Sequence, residues 1–198
     1  MKTLLRIDGS PRKESSISRQ LGNQLQEKLA KENELHIINR DVYYDPLIQL
    51  GNEDSIAAYF TPVDQQTEAQ KQAVEASNIL AQEFANSDIY LFTVPMYNFS
   101  VSAGLKAYID LISRAGISFN YTENGPIGLL ENKKAYVVIT TGGTPLGSPV
   151  DHVSGYMTTL LNFLGITDIT VIKADQMTVA PENAIAKVKE EIAALETV

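Results

Sequence analysis

"IYLFTVPMYNFSVSAGLKAYID", residues 89 to 110, contains the change of pattern on which the fold turns. Its first six residues are apolar nearly throughout, as in a strand buried on both faces. Pro95 ends that run, and from about residue 102 the pattern reads as a helix. Strand, turn and helix in this order make the repeating unit of a parallel sheet. The turn carries Tyr97, Asn98 and Phe99. Turn positions usually hold small or polar residues for backbone reasons. Large aromatic groups there leave apolar area in water unless something covers them.

The same alternation extends in both directions from this stretch. Strands are expected at 3–7 ("TLLRI"), 35–38 ("LHII"), 135–140 ("AYVVIT") and 169–173 ("ITVIK"). Between them lie helical patterns. Leu21, Leu25 and Leu29 recur at helical spacing over 17–31. "TEAQ" at 67–70 has the Thr-to-Gln spacing of a capping box and opens a helix to about Asn86. Further helices are expected over about 102–114 and 151–164, and over 181–195, where Pro181 suits a first helical turn. Five strands alternating with five helices predict an α/β doubly wound parallel sheet with helices on both faces. Two connections are unusually long, 40–66 and 115–133. Connections beyond about 12–15 residues are often lids, binding loops or partner contacts. These two carry many apolar residues: Ile48, Leu50, Ile56, Tyr59 and Phe60 in the first, and Ile117, Phe119, Tyr121, Ile127, Leu129 and Leu130 in the second. Monomers rarely leave contiguous apolar patches of more than about a few hundred Å² exposed, so a homodimer is expected.

The 198 residues suggest one domain spanning 1–198, long enough to fold without disulfides or a structural metal. There is no cysteine, which excludes thiol catalysis and cysteine zinc sites. His36 and His152 stand far apart without ligand spacing, so no metal site is expected. The net charge of −8, with no cluster of Lys and Arg, argues against nucleic acid, whose binders need a basic face. The opening "MKTLLRIDGS" is too short and too charged for a signal peptide, and no apolar run approaches a membrane span. A cytoplasmic protein is expected.

In such sheets ligands bind beyond the carboxyl ends of the strands at a topological switch point. After the first strand comes "DGSPRKESSIS", 8–18. Gly9 allows a tight turn, Ser10 supplies a hydroxyl, and Ser16, Ile17 and Ser18 fall where the next helix begins. A helix N-terminus with unpaired N–H groups suits a phosphate. The loop lacks both GxGxxG and GxxxxGK[ST], which argues against a dinucleotide or ATP held there. After the fourth strand come Thr140, Thr141, Gly142 and Gly143, where adjacent glycines let backbone N–H groups approach a flat ligand. Met96, Tyr97, Asn98 and Phe99 form the third wall. A ligand with a monophosphate at one end and a planar ring at the other fits these loops, and FMN has that shape.

"GSPRKESSIS", "PMYNFSVSAGLKAYIDLISRAGISFNYTENGPIGLL" and "TTGGT" together resemble the FMN-dependent NADH:quinone oxidoreductases, also called azoreductases, in order and over nearly the whole chain. The resemblance implies a flavodoxin-like five-stranded sheet of order 2-1-3-4-5. It also implies a homodimer with two active sites at the interface. Ser10 and Ser16–Ser18 would hold the FMN phosphate, and Met96–Phe99 the isoalloxazine, with Asn98 on its polar edge. Thr140–Gly143 would reach the opposite edge, and Tyr121 and Phe163 would lie over the flavin face. The activity implied is reduction of quinones and reductive cleavage of aromatic azo compounds. It would run by ping-pong hydride transfer through FMN N5, with NADH or NADPH as co-substrate. No side chain is required as acid or base. The chain departs from the family's frequent Ser-Arg-Gly-Gly at Thr140-Thr141-Gly142-Gly143, and has Asn120 where Arg is frequent. Both changes remove a positive charge.

Two other readings share the architecture. An FMN-bearing electron carrier needs an exposed flavin edge, which the extra stretches 40–66 and 115–133 argue against. A phosphorylated receiver-like switch could use Asp8, Thr140 and Lys173, but needs an acceptor aspartate after the third strand, where Pro95-Met96 stands.

Overall fold

A computed structural model of the chain describes residues 1–45, 53–179 and 181–196. Five strands form one parallel sheet: β1 (Lys2–Asp8), β2 (Leu35–Asp41), β3 (Ile89–Pro95), β6 (Lys134–Thr140) and β7 (Asp168–Ala174), in the order β2-β1-β3-β6-β7. A separate antiparallel hairpin joins β4 (Phe119–Thr122) to β5 (Gly125–Gly128). Set the hairpin aside and the main sheet has the expected order 2-1-3-4-5, which is the flavodoxin-like arrangement. The helices are α1 (Ile17–Glu32), α2 (Glu53–Phe60), α3 (Glu68–Asn86), α4 (Ala103–Ile112), α5 (His152–Phe163) and α6 (Pro181–Ala194).

The strands alternate their side chains between two cores. Leu5, Ile7, Phe92, Val94, Val137 and Ile139 face Phe84 of α3, Leu105 and Ile109 of α4, and Met157 and Leu161 of α5. Leu4, Leu91, Val138 and Ile172 face Leu21, Leu25 and Leu29 of α1, with Val188 and Ile192 of α6. Every residue of β3 is buried, as its unbroken apolar run requires. The capping box is present: Thr67 and Gln70 exchange side-chain and backbone hydrogen bonds at the start of α3.

Two differences from the sequence expectation lie in the long connections. The segment 40–66 contains α2 and a three-residue 3-10 turn (Val63–Gln65), and 115–133 contains the hairpin, so the described residues hold six α-helices and seven strands. An eight-residue helix and two four-residue strands are too short to show a period. β2 also runs to Asp41, past the expected Ile38, because its polar end is an ion-paired edge: Arg40 bonds Glu83, and Asp41 bonds Arg19. Of the apolar residues expected on a shared patch, Phe119 and Leu130 are instead buried within the chain. Ile56, Phe60, Tyr121, Ile127 and Leu129 are exposed, and Ile48 and Leu50 lie outside the described residues. No helix among the described residues is long and apolar enough to cross a membrane.

Candidate cofactor and substrate site

The sheet order places β3 between β1 and β6, so the loops leaving these three strands are neighbours at the carboxyl edge. They enclose a cleft of about 280 Å³. Ser10, Ser16, Ile17, Met96, Tyr97, Thr140, Thr141 and Gly142 line it, all of them expected from the sequence. Arg12, Ser15, Pro95, Met177 and Thr178 also line it. Met177 and Thr178 were not anticipated because they follow β7, away from the switch point. Arg12 and Ser15 sit in the predicted loop itself, among residues whose type does not tell which faces inward. A wider recess of about 650 Å³ shares Tyr97 with the cleft and takes in Asn98, Ser102 and Lys106. The smaller cleft is the chemically richer of the two, because the unpaired donors gather there.

At its phosphate end, Ser16 caps α1 and accepts the Arg19 N–H at 3.4 Å. Its hydroxyl lies 3.0 Å from that of Ser18. The N–H groups of Ile17 and Ser18 have no protein acceptor among the described residues. They point along the positive end of a sixteen-residue helix, which favours an anion. Beneath the loop lies a buried ion network. Asp8 receives Arg6 at 3.0 Å and Arg19 at 3.1 Å, Arg19 also reaches Asp41 at 2.7 Å, and Thr93 donates to Asp8 at 2.9 Å. Arg19 donates to the Ser10 carbonyl at 2.6 Å, tying the loop to the strand ends. Burial opposes the charge on Arg19, but the bond to Asp41 and the charges of Asp8 and Asp41 outweigh it and hold the guanidinium above its ordinary pKa.

At the opposite wall the loop after β6 is fastened to residues 174–178. Thr141 donates to the Thr144 carbonyl and accepts the Gln176 N–H, and the Gly142 carbonyl accepts both the N–H and hydroxyl of Thr178. The Thr141 hydroxyl is therefore used inside the loop. The N–H groups of Gly142 and Gly143 remain without a protein acceptor among the described residues. Neither glycine has a positive φ, and a Cβ at Gly142 would meet only Thr178, at 3.6 Å. Neither backbone conformation nor packing demands glycine at 142. The position is open to close approach by a group that is not part of the chain. The donor set and this glycine cradle fit FMN.

The turn 97–100 answers the question raised by its aromatics. Tyr97 and Ser100 exchange backbone hydrogen bonds, and both central residues, Asn98 (φ 49°) and Phe99 (φ 69°), have positive φ. Asn tolerates that conformation, whereas Phe at such an angle is strained. Tyr97 is 37% and Phe99 51% exposed, so the described residues cover each of them only in part. We expect Phe99→Gly to stabilise the cofactor-free protein by about 1 kcal/mol. Relief of strain, about 1–3 kcal/mol, exceeds the entropy cost of glycine, about 0.5–1 kcal/mol. Thermal melting of the two proteins checks this, and a less stable variant would show that packing rather than strain governs Phe99.

Tyr121 and Phe163 are not brought to this cleft within one chain. α4 and α5 start at the carboxyl edge, and their ten and twelve residues span about 15 and 18 Å. Phe163 ends α5, and the hairpin carrying Tyr121 packs beside it: Phe119 lies 4.6 Å from Phe163 and 5.3 Å from Tyr121 between ring centroids. Tyr121 lines a separate apolar cleft with Ile56, Tyr59 and Phe60.

The family model described as flavodoxin-like fold matches residues 1–198. The chain is 51% identical, over 96% of its length and 93% of the relative's, to the FMN-dependent NADH:quinone oxidoreductase 1 of Hahella chejuensis. It superposes on an azoreductase from Bacillus anthracis with a TM-score of 0.89, at 26% identity, covering 98% of this chain and 97% of the other. A second B. anthracis structure, an FMN-dependent NADH-azoreductase in complex with FMN, gives 0.85 at 26% identity over the whole of both chains. The chain therefore belongs to the FMN-dependent NADH:quinone oxidoreductase family and has its flavodoxin-like fold.

Proposed function

We propose that this protein binds FMN and uses it to pass electrons from NADH to quinones, and that aromatic azo compounds are reduced in the same cavity. The observation that carries this reading is the set of unpaired N–H donors at the two ends of one cleft, with a glycine at 142 that the fold itself does not need. Bound FMN supplies the hydride relay, which no side chain of the protein can perform. Ser10, Ser16 and Ser18, with the N–H groups of Ile17 and Ser18, hold the phosphate. Met96, Tyr97 and Phe99 flank the ring, and Asn98 offers its amide to the polar edge. The Gly142 and Gly143 N–H groups face the other edge, where fixed donors stabilise developing negative charge without reorganisation. Thr140 and Thr141 hold that loop in place.

The cleft is open, and the aromatics expected over the ring stand at the far end of α4 and α5. A second copy packed antiparallel on these helices brings its own Tyr121 and Phe163 over the first copy's cleft. This covers Tyr97 and Phe99 and excludes water. The exposed Ile56, Phe60 and Tyr121 support such a contact. Asn120 and Thr141 leave the cavity without the cations frequent in the family, which favours neutral quinones over sulfonated dyes. We place the protein in the cytoplasm, as a single domain, on its composition.

One roofed cavity cannot hold NADH and acceptor together, so the substrates take turns. Double-reciprocal plots at several fixed quinone concentrations should be parallel, and light scattering should report twice the 21.7 kDa of one chain. Intersecting lines would rule out the shared cavity. A particle of one chain's mass would rule out the partner's roof.

A further inference from the structure

We propose that Arg12 is the cation that pairs with the cofactor phosphate and makes the site select a phosphorylated flavin over the free one. The inference rests on the FMN reading above and goes beyond it, because the hydroxyls and N–H groups at the helix start carry no net charge.

The phosphate of FMN brings nearly two negative charges at neutral pH. The protein itself carries −8, so its long-range field opposes that approach. A local cation is needed, and the structure separates the basic residues near the loop by what they already hold. Arg6 and Arg19 are closed onto Asp8 and Asp41, two arginines against two aspartates, and Arg19 spends a further donor on the Ser10 carbonyl. That network is balanced before any ligand arrives. The Lys13 ammonium stands 4.1 Å from the centroid of the Tyr44 ring, and Lys106 is paired with Asp110. Arg12 is different. It lines the cleft with Ser10, Ser15, Ser16 and Ile17, and its guanidinium has neither an ion pair nor a hydrogen bond among the described residues.

Its backbone is also fixed in register with the site. The Arg12 N–H donates to the Ser10 hydroxyl oxygen at 3.2 Å, and the Tyr44 hydroxyl donates to the neighbouring Pro11 carbonyl at 2.9 Å. With that oxygen accepting, the Ser10 O–H proton is left free to donate to a phosphate in the cleft that Arg12 also lines. A planar guanidinium presents paired donors that match phosphate oxygens, so its contribution depends on the charge and not on the flavin ring.

The test is equilibrium binding of FMN and of riboflavin, read by quenching of flavin fluorescence, for the wild type, Arg12→Gln and Arg12→Lys. Arg12→Gln should weaken FMN binding about tenfold, or about 1.4 kcal/mol. Riboflavin binding should stay within twofold. Arg12→Lys should recover part of the FMN affinity, and the salt dependence of FMN binding should be shallower in Arg12→Gln than in wild type. Arg12 is exposed and its guanidinium unpaired among the described residues, so circular dichroism melts of the variants should match the wild type. Equal FMN affinity in wild type and Arg12→Gln would overturn the proposal. An equal loss for FMN and riboflavin would also overturn it, because the loop and not the charge would then have been changed. A wild type that binds neither flavin would remove the cofactor reading, and the proposal with it, a result recognisable before any variant is made.

Discussion

Gly128→Ala should destabilise the folded chain by about 3 kcal/mol and lower quinone reduction at least tenfold, while FMN affinity stays within twofold. A Cβ at Gly128 would stand 2.1 Å from the Gly165 nitrogen, 2.3 Å from the Leu164 carbonyl carbon and 2.4 Å from the Gly165 Cα. All three are backbone atoms, so no side-chain rotation relieves the clash. Gly165 cannot yield easily either. Its φ is +99°, its N–H is bonded to the Asn162 carbonyl, and Leu130 donates to the Leu164 carbonyl at 2.9 Å. β5 must lift from the end of α5, and overpacking of this kind costs about 1–3 kcal/mol, with rigid backbone on both sides setting the upper end. The lifted hairpin carries Tyr121. The hairpin packs at the end of α5, a helix about 18 Å long, and no residue of β4, β5 or α5 lines the cleft, so the isolated cleft is spared. Urea unfolding, steady-state turnover and flavin titration on one preparation separate the three quantities. Loss of FMN affinity in step with turnover would show that hairpin and cleft are one unit, contrary to this account.

Gly142→Val should have the opposite profile. Its Cβ finds ordinary contact with Thr178 and no other atom within 4 Å, so the cofactor-free protein should melt within about 0.5 kcal/mol of wild type, as surface substitutions do. The branched side chain would occupy the space through which, in the proposed binding mode, the Gly142 and Gly143 N–H groups meet the ring edge. FMN affinity should fall at least tenfold, about 1.4 kcal/mol. Turnover at saturating FMN should fall as well, because the donors proposed to stabilise charge on the ring would be displaced. Unchanged FMN affinity would mean that this loop does not touch the ring, and the glycine would then lack an explanation.

These two substitutions fall on either side of the division between local and tertiary information. The five sheet strands were legible because each is a run of apolar residues long enough to outweigh its neighbours, and α3 because Thr67 and Gln70 mark its start. The cleft was legible for the same reason. Its residues follow strand ends, and the parallel α/β pattern already implies that strand ends carry ligands. Ser10, Ser16, Ile17 and Thr140–Gly142 could be named without coordinates. A helix of little more than two turns and strands of four residues carry no clear period, so α2 and the β4–β5 hairpin were hidden inside what read as loops.

Sequence by itself determined the order of buried strands and helices, the loops that meet at the switch point, and the residue types those loops present. Tertiary structure alone decided which of those residues are free. Whether an arginine is already paired, a hydroxyl already used or a glycine crowded depends on atoms distant in the chain. Arg19 is spent on Asp8 and Asp41 and the Arg12 guanidinium, among the described residues, on nothing; Thr141 is closed into its own loop; Gly142 is open where Gly128 is interlocked with Gly165. It also decided that Phe119 and Leu130 belong to the interior, and that Tyr121 and Phe163 lie outside the lining of the cleft. Periodicity reports which face of an element is apolar, whereas reach and pairing are set by contacts between elements, which only the assembled sheet and its helices establish.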